Sequence, residues 1–222
     1  MERVPEAELM LDPEQALAYA RADFAEPHGR CMALLQAKWP SLPARGRALD
    51  LGCGPGDVTL RLARLLPQWS IDALDGSAAM LALAREAATA AGVGERVQFI
   101  AAVLPADGPP RADYDLVFSN SLLHHLTDPM VLWQAVLRWG RPGAAVLVMD
   151  LLRPPTDAEA QALVRRYAST EPAVLRSDFY NSLRAAYRPD EVRRQLEVAN
   201  LGLSVEIVSD RHIIAWGMNQ KC

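Results

Sequence analysis

Lysine is almost missing from these 222 residues: only Lys38 and Lys221 stand among 23 basic side chains. No Lys/Arg block occurs, and the net charge is −4 with a pI near 5.6. The basic footprint of a nucleic-acid binder is therefore absent, and no nucleic-acid partner is expected. No apolar run reaches the roughly 18 residues of a membrane-spanning helix. No signal-peptide pattern is present either, so the expectation is a cytoplasmic protein with no membrane partner. Cysteine is scarce: Cys31, Cys53 and Cys222 are odd in number and widely spaced. They suggest neither a disulfide framework nor a zinc site. The four histidines lack ligand spacing, so no metal is expected.

What is present is a full complement of core-forming residues. Half of the chain is hydrophobic and 23% is charged, the balance of an ordered domain, or of one domain with a small cap. The first eleven residues read as frayed. Asp12-Pro13, with Gln15 three residues after the cap, predicts a helix start. Tyr19 and Asp23 lie four apart and so share a helix face. Pro27 breaks that pattern, and Cys31, Leu34, Leu35 and Trp39 predict a second helix.

An alternating region follows. Strands are predicted over 47–51, 70–74, 97–101, 113–119 and 144–151, with helices over 58–66, 77–91, 122–126 and 129–139 between them. Strands alternating with helices argue for a parallel sheet covered on both faces. Beyond Pro154-Pro155 the pattern changes. Thr156-Asp157-Ala158-Glu159 is a capping box opening a helix through Tyr167. Residues 178–186 and 189–201 read as helices. The runs 203–208 and 212–216, joined by a short turn, predict an antiparallel hairpin.

The first strand leads into Asp50-Leu51-Gly52-Cys53-Gly54-Pro55-Gly56-Asp57. Strand, glycine loop and helix in that order open a nucleotide-binding βαβ unit. A dinucleotide fingerprint would need glycine at position 57. Asp57 stands there instead, as the expected N-cap of the next helix. A carboxylate at that place would repel a pyrophosphate seeking the same N–H groups. Asp50 adds further negative charge. The loop therefore suits a ligand without phosphate and with a cationic end, such as S-adenosylmethionine (SAM). Asp75 ends the second strand, where an acid can hold two ribose hydroxyls.

With these motifs in place, the chain resembles a class I SAM-dependent methyltransferase. The resemblance rests on Leu49 to Gly56, on Asp75-Gly76-Ser77-Ala78-Ala79-Met80-Leu81, on Tyr114 to Leu126 and on Arg141-Pro142-Gly143, and it covers about residues 45–152. It implies an α/β Rossmann-like fold: a seven-stranded, mostly parallel sheet with an antiparallel last strand and helices on both faces. Residues 1–44 would form an N-terminal helical cap. Residues 45–222 would form the SAM-binding domain, with a helical lid near 155–187 between strands five and six. The resemblance assigns the methionine part of SAM to Asp50, Gly52, Cys53, Gly54 and Gly56, with Ser119 and Asn120 bordering it. It assigns the ribose to Asp75 and the adenosine to Ser77 and Met80, with Gly76 between them in the cofactor site. The acidic adenine contact common in the family is replaced by Ala102-Val103, whose backbone would serve instead.

For chemistry, His124 (or its neighbour His125) could deprotonate an acceptor; the other reading is that both pack or cap the short helix. His28 and His212 read as structural. Residues 177–183 concentrate Asp178, Tyr180 and Asn181 in one segment, either as a capped surface helix or as a lid facing the sulfonium, with Tyr19 and Asp23 approaching from the other side. A tyrosine ring can favour a sulfonium, and a carboxylate can receive an amine proton. The resemblance implies methyl transfer to a small-molecule acceptor. The polar lid and N-terminal helix also resemble azetidine-2-carboxylate synthases, which would imply cyclisation of SAM with release of methylthioadenosine. A SAM-binding protein without catalysis is the third alternative.

Overall fold

The apolar run Arg47–Leu51 forms strand β1 in the computed structural model, which describes residues 1–6 and 11–220. Around it lie β2 (Ser70–Asp75), β3 (Val97–Ala101), β4 (Tyr114–Asn120), β5 (Gly140–Leu151), β6 (Ser204–Ile207) and β7 (His212–Met218). Their order is β3-β2-β1-β4-β5-β7-β6. Strands β1 to β5 pair in parallel, whereas β7 runs antiparallel to both β5 and β6. The expected seven-stranded architecture is what the chain adopts.

The period-two alternation of the strands divides the core into two layers. Ala48, Leu116, Phe118, Leu147 and Met149 face one side, against α2 (Ala25–Lys38), α3 (Asp57–Leu65) and α4 (Ala78–Ala90). Leu49, Leu51, Val117, Val146 and Val148 face the other, against α5 (Met130–Trp139) and α8 (Pro189–Val198). Both faces are covered, which is why the inner strands read as continuous apolar runs. A third, small cluster joins α6 (Asp157–Tyr167) to α7 (Ala173–Ala185) through Ala160, Leu163, Leu183 and Ala186. Phe179 packs on it from the side, and Thr156 and Glu159 form the expected capping box.

Five expectations change. Residues 1–6 are docked: Arg3 donates to the carbonyls of Ala185, His124 and Leu126, and the Val4 N–H donates to the Arg184 carbonyl. Residues 7–10, like Cys222, lie outside the described residues. Pro27 does not break a helix but sits in the first turn of α2, where no N–H bond is needed. Asp57 is not an N-cap; Gly56 takes that position at φ 86°, a left-handed conformation that glycine adopts without strain. Strand β5 starts at Gly140 rather than Ala144, because a register shift absorbs Arg141-Pro142-Gly143: Tyr114 faces Gly140, yet Leu116 faces Ala145. Helix α7 begins at Ala173, five residues earlier than expected. Helix α1 (Pro13–Arg21) starts as read, with the Asp12 carboxylate accepting the Glu14 N–H at 2.8 Å.

Candidate active site

Strand order reverses between β1 and β4, and the chain opens a crevice at the carboxyl ends of the strands there, the usual ligand position in such sheets. The resulting cavity is about 580 Å³, within the range that holds a small ligand. Its floor is the glycine loop with the ends of β2 and β4. Its roof is the end of α1 and the start of α2.

The floor is built from backbone geometry. The N–H groups of Gly52 and Cys53 both donate to the Leu74 carbonyl, so the loop folds over the end of β2. Gly52 has φ +73°, and an added Cβ would lie 2.9 Å from Leu122. Gly54 has φ +53°, and nothing lies within 4 Å of where its Cβ would stand. The Asp75 carboxylate accepts the Gly54 N–H and the Ser77 N–H, each at 2.8 Å. Burial raises the Asp75 pKa, and these two donors offset it only in part. Each carboxylate oxygen retains acceptor capacity for hydroxyl donors. The Asp75 acceptor oxygens thus fit a ribose, and the open space beside Gly54 fits a close approach of ligand. Ser77 caps α4 by accepting the Met80 N–H, and both residues line the cavity with Gly76, Cys53, Ala102, Val103 and Asn120.

Three residues support the cavity from outside its lining. Asp50 is 1% exposed and does not line it; its carboxylate accepts the Thr59 hydroxyl at 2.6 Å beneath the loop. Burial pushes the Asp50 pKa up to about 7. Ser119 is likewise buried and donates to the Leu51 carbonyl. Gly56 lies away from the lining, tight against Ala84 and Phe99. Past β3, the Ala102 N–H donates to the Asp75 carbonyl and the Val103 N–H to Asp107, so both backbone donors are engaged within the protein.

The roof brings Tyr19 and Asp23 to the cavity, although α1 ends at Arg21 and the two do not share a helix face. Asp23 accepts the Ala25 N–H and so holds the α1–α2 turn. Tyr19, Phe24 and His28 form a row of rings with centroids 4.8 and 5.2 Å apart. Burial, with the charges of Asp150, Asp75 and Asp57, pushes the Tyr19 phenol up to about 12. It stays neutral at physiological pH and cannot act as a base there. His28 Nδ1 lies 2.6 Å from Asp57 Oδ2, which also accepts from Arg61 at 2.9 Å. The His28 hydrogen bond above all, aided by Arg61, holds Asp57 down at about 2. Phe24 and His28 were not foreseen. Phe24 caps α2 and His28 lies at the end of its first turn, and reading Pro27 as a breaker obscures both.

The lid residues go elsewhere. Asp178 accepts from Gln15 at 2.8 Å, tying α7 to α1. The Tyr180 hydroxyl donates to Asp157 on α6, and Asn181 is exposed. None of the three lines the cavity, and neither does His124. His124 is 3% exposed, in a short 3-10 turn, Leu123–His125, after β4. Its Nδ1 lies 2.6 Å from Asp150 and its Nε2 3.5 Å from Glu6. Burial alone would lower its pKa, but the charges of both carboxylates and the Asp150 hydrogen bond raise it. His125, its neighbour, lines the cavity. Among the described residues, no helix is long and apolar enough to cross a membrane.

A doubly wound sheet with an antiparallel β7, and a glycine-loop cavity with an acid at the end of β2, are features of the Rossmann-like methyltransferase fold. Residues 48–143 match the methyltransferase domain family. Over that stretch the chain resembles the class I SAM-dependent methyltransferases. It is 37% identical over 160 residues to the trans-aconitate 2-methyltransferase of Mycobacterium ulcerans (strain Agy99), covering 71% of this chain and 55% of that protein. It is 35% identical over 125 residues to the trans-aconitate 2-methyltransferase of Azoarcus sp. (strain BH72), covering 56% and 46%. The chain thus spans about half the length of the curated relatives it matches. The fold recurs in a SAM-dependent methyltransferase from Aquifex aeolicus, at 18% identity, 94% and 99% coverage and a TM-score of 0.68. It recurs also in the plantazolicin methyltransferase BpumL in complex with SAH, at 14% identity, 93% and 90% coverage and a TM-score of 0.71.

Proposed function

We propose that this chain binds SAM in the glycine-loop cavity and transfers its methyl group to a cytoplasmic small-molecule acceptor. The observation that carries the reading is Asp75, half-buried at the end of β2 and joined to Gly54 and Ser77 while facing a cavity of about 580 Å³. The relatives named as methyltransferases support the same reaction type. SAM supplies an electrophilic methyl carbon on a positive sulfur. The acceptor's lone pair forms the new bond to that carbon, and the C–S pair returns to sulfur, giving S-adenosylhomocysteine.

In this reading Asp75 and Gly76 bind the ribose, Ser77 and Met80 the adenosine, and Gly52, Cys53 and Gly54 the amino-acid part. Asp50, Ser119 and Gly56 shape the loop from behind. Residues 1–44 act as the cap over the SAM-binding domain. Tyr19, Phe24 and His28 exclude water from the reacting centre, which strengthens alignment and electrostatics there. The Tyr19 ring suits a sulfonium by cation–π attraction. Where the acceptor is a carboxylate no base is required; where it is neutral, the proton leaves to a cavity group such as Asp23 or His28.

The test is incubation with SAM and a panel of small carboxylic and amino acids, trans-aconitate first, followed by mass spectrometry. S-adenosylhomocysteine together with a methylated acceptor supports the reading. Methylthioadenosine from SAM alone would overturn it in favour of intramolecular cyclisation.

A further inference from the structure

The first six residues close over a cluster that methyl transfer does not use. Glu6 Oε1 lies 3.1 Å from His125 Nδ1 and 3.5 Å from His124 Nε2. The donor atoms of all three residues lie within 4.8 Å of one another. The two rings sit together, with centroids 4.1 Å apart. They come from one 3-10 turn, which is why adjacent residues can present their edges to a single carboxylate. Behind them Asp150 accepts the Leu123 N–H at 2.6 Å and holds His124 Nδ1 at 2.6 Å. That contact directs His124 Nε2 toward Glu6. Ser182 donates to the same Glu6 oxygen at 2.9 Å, fixing the carboxylate from α7.

We propose that Glu6, His124 and His125 form a divalent transition-metal site, with zinc as the fitting ion, that clasps the N-terminal segment to the turn after β4. Two imidazoles and one carboxylate are a zinc donor set, leaving a fourth position for water or a small oxygen ligand. Donors about 2.0–2.1 Å from a tetrahedral ion lie about 3.3 Å apart. The 3.1 and 3.5 Å separations to Glu6 already bracket that value. Asp150 is the positioning residue: a carboxylate on the far nitrogen of a ligating histidine sets the tautomer and raises ligand basicity. The ion would join Glu6 to a turn 118 residues away in sequence, and so hold α7 and the N-terminal segment against the sheet. Spacing in the sequence could not reveal this, because one donor comes from the far N-terminal end of the chain.

The experiment is calorimetric titration of the chelator-treated full chain with ZnCl2, with CoCl2 absorbance as a second readout of histidine ligation. One equivalent bound, a metal-dependent rise in melting temperature and a tetrahedral cobalt spectrum are expected. Glu6→Gln and His125→Gln should each weaken binding by about 100-fold or more, and Asp150→Asn by about 10–100-fold. Melting of each variant in chelator verifies that it folds, and Glu6→Gln changes only a carboxyl oxygen at a partly exposed position. Absence of stoichiometric binding, or binding equally tight in both ligand variants, would overturn the site and leave a hydrogen-bonded cluster only. Neither result bears on SAM binding, which is measured separately.

Discussion

The Asp75 carboxylate holds the Gly54 N–H at 2.8 Å and thereby joins the end of β2 to the glycine loop of β1. One side chain sets the loop and lines the cavity. Asp75→Asn keeps the size but removes the charge and one of the two N–H acceptors. Hydrogen bonds to charged groups contribute about 1.5–3 kcal/mol each, so SAM affinity should fall about 10–100-fold with the fold retained. Equilibrium dialysis with labelled SAM measures it, and unchanged affinity would remove Asp75 from the binding site.

Gly52→Ala combines two costs. The φ of +73° is unfavourable for alanine, and the new Cβ meets Leu122 at 2.9 Å. Together these should destabilise by about 2–4 kcal/mol. Adding Leu122→Ala removes the overlap but not the backbone strain. Urea unfolding of the pair should therefore show partial recovery from the collision, beyond the cost of Leu122→Ala alone.

Asp50 gives the pH dependence a definite sign. Its folded pKa of about 7 lies above the ordinary 3.8 of an aspartate. The folded state thus holds the proton more tightly, and stability falls as pH rises from about 4 to about 7. The full window corresponds to at most about 4 kcal/mol. Asp50→Asn should flatten that slope, so its stability relative to the parent improves as pH rises. Denaturant midpoints at pH 4, 5.5 and 7 test this; parallel curves would contradict it.

Arg3 donates to three carbonyls and stacks 4.1 Å over the Tyr187 ring. Arg3→Ala should cost about 2–4 kcal/mol. Limited proteolysis should then cut first around α6 and α7, whose own core is small. A digestion pattern identical to that of the parent would show that the segment does not secure the lid.

Tyr19 and Tyr180 should separate cleanly. Tyr180→Phe removes a hydroxyl bonded to Asp157 outside the cavity, so turnover should stay within about twofold. Tyr19→Ala should lower kcat/KM, whereas Tyr19→Phe keeps the ring and the pH–rate profile between 6 and 10 should keep its shape, because burial pushes that phenol up to about 12. Loss of an alkaline limb in Tyr19→Phe would refute this assignment.

The sheet was legible because its information is local. The apolar run at 47–51 and the alternation in 97–101 mark those strands to the residue, and the capping box at Thr156 marks the start of α6. Asp75 and the glycines were legible because loop geometry demands those types. The roof and the clasp were not. Pro27 reads as a breaker unless its place in the first turn is known, and that concealed His28. Asp178 looks available until Gln15, 163 residues away, is seen to bond it. Arg3 and Glu6 sit in a segment without hydrophobic periodicity, and only the carbonyls and imidazoles that receive them explain their order.

Strand β7 lies between β5 and β6, although it comes after both in the chain. During synthesis, β1 to β5 can pair while the hydrogen-bonding edge of β5 remains open. Residues 140–151 then wait, with an unpaired apolar edge, for residues 212–218 to emerge. An exposed edge of that kind is a template for association with other chains. Nascent chains stalled before residue 212 should therefore be the aggregation-prone species, and the site-bearing half should assemble before the sheet is sealed.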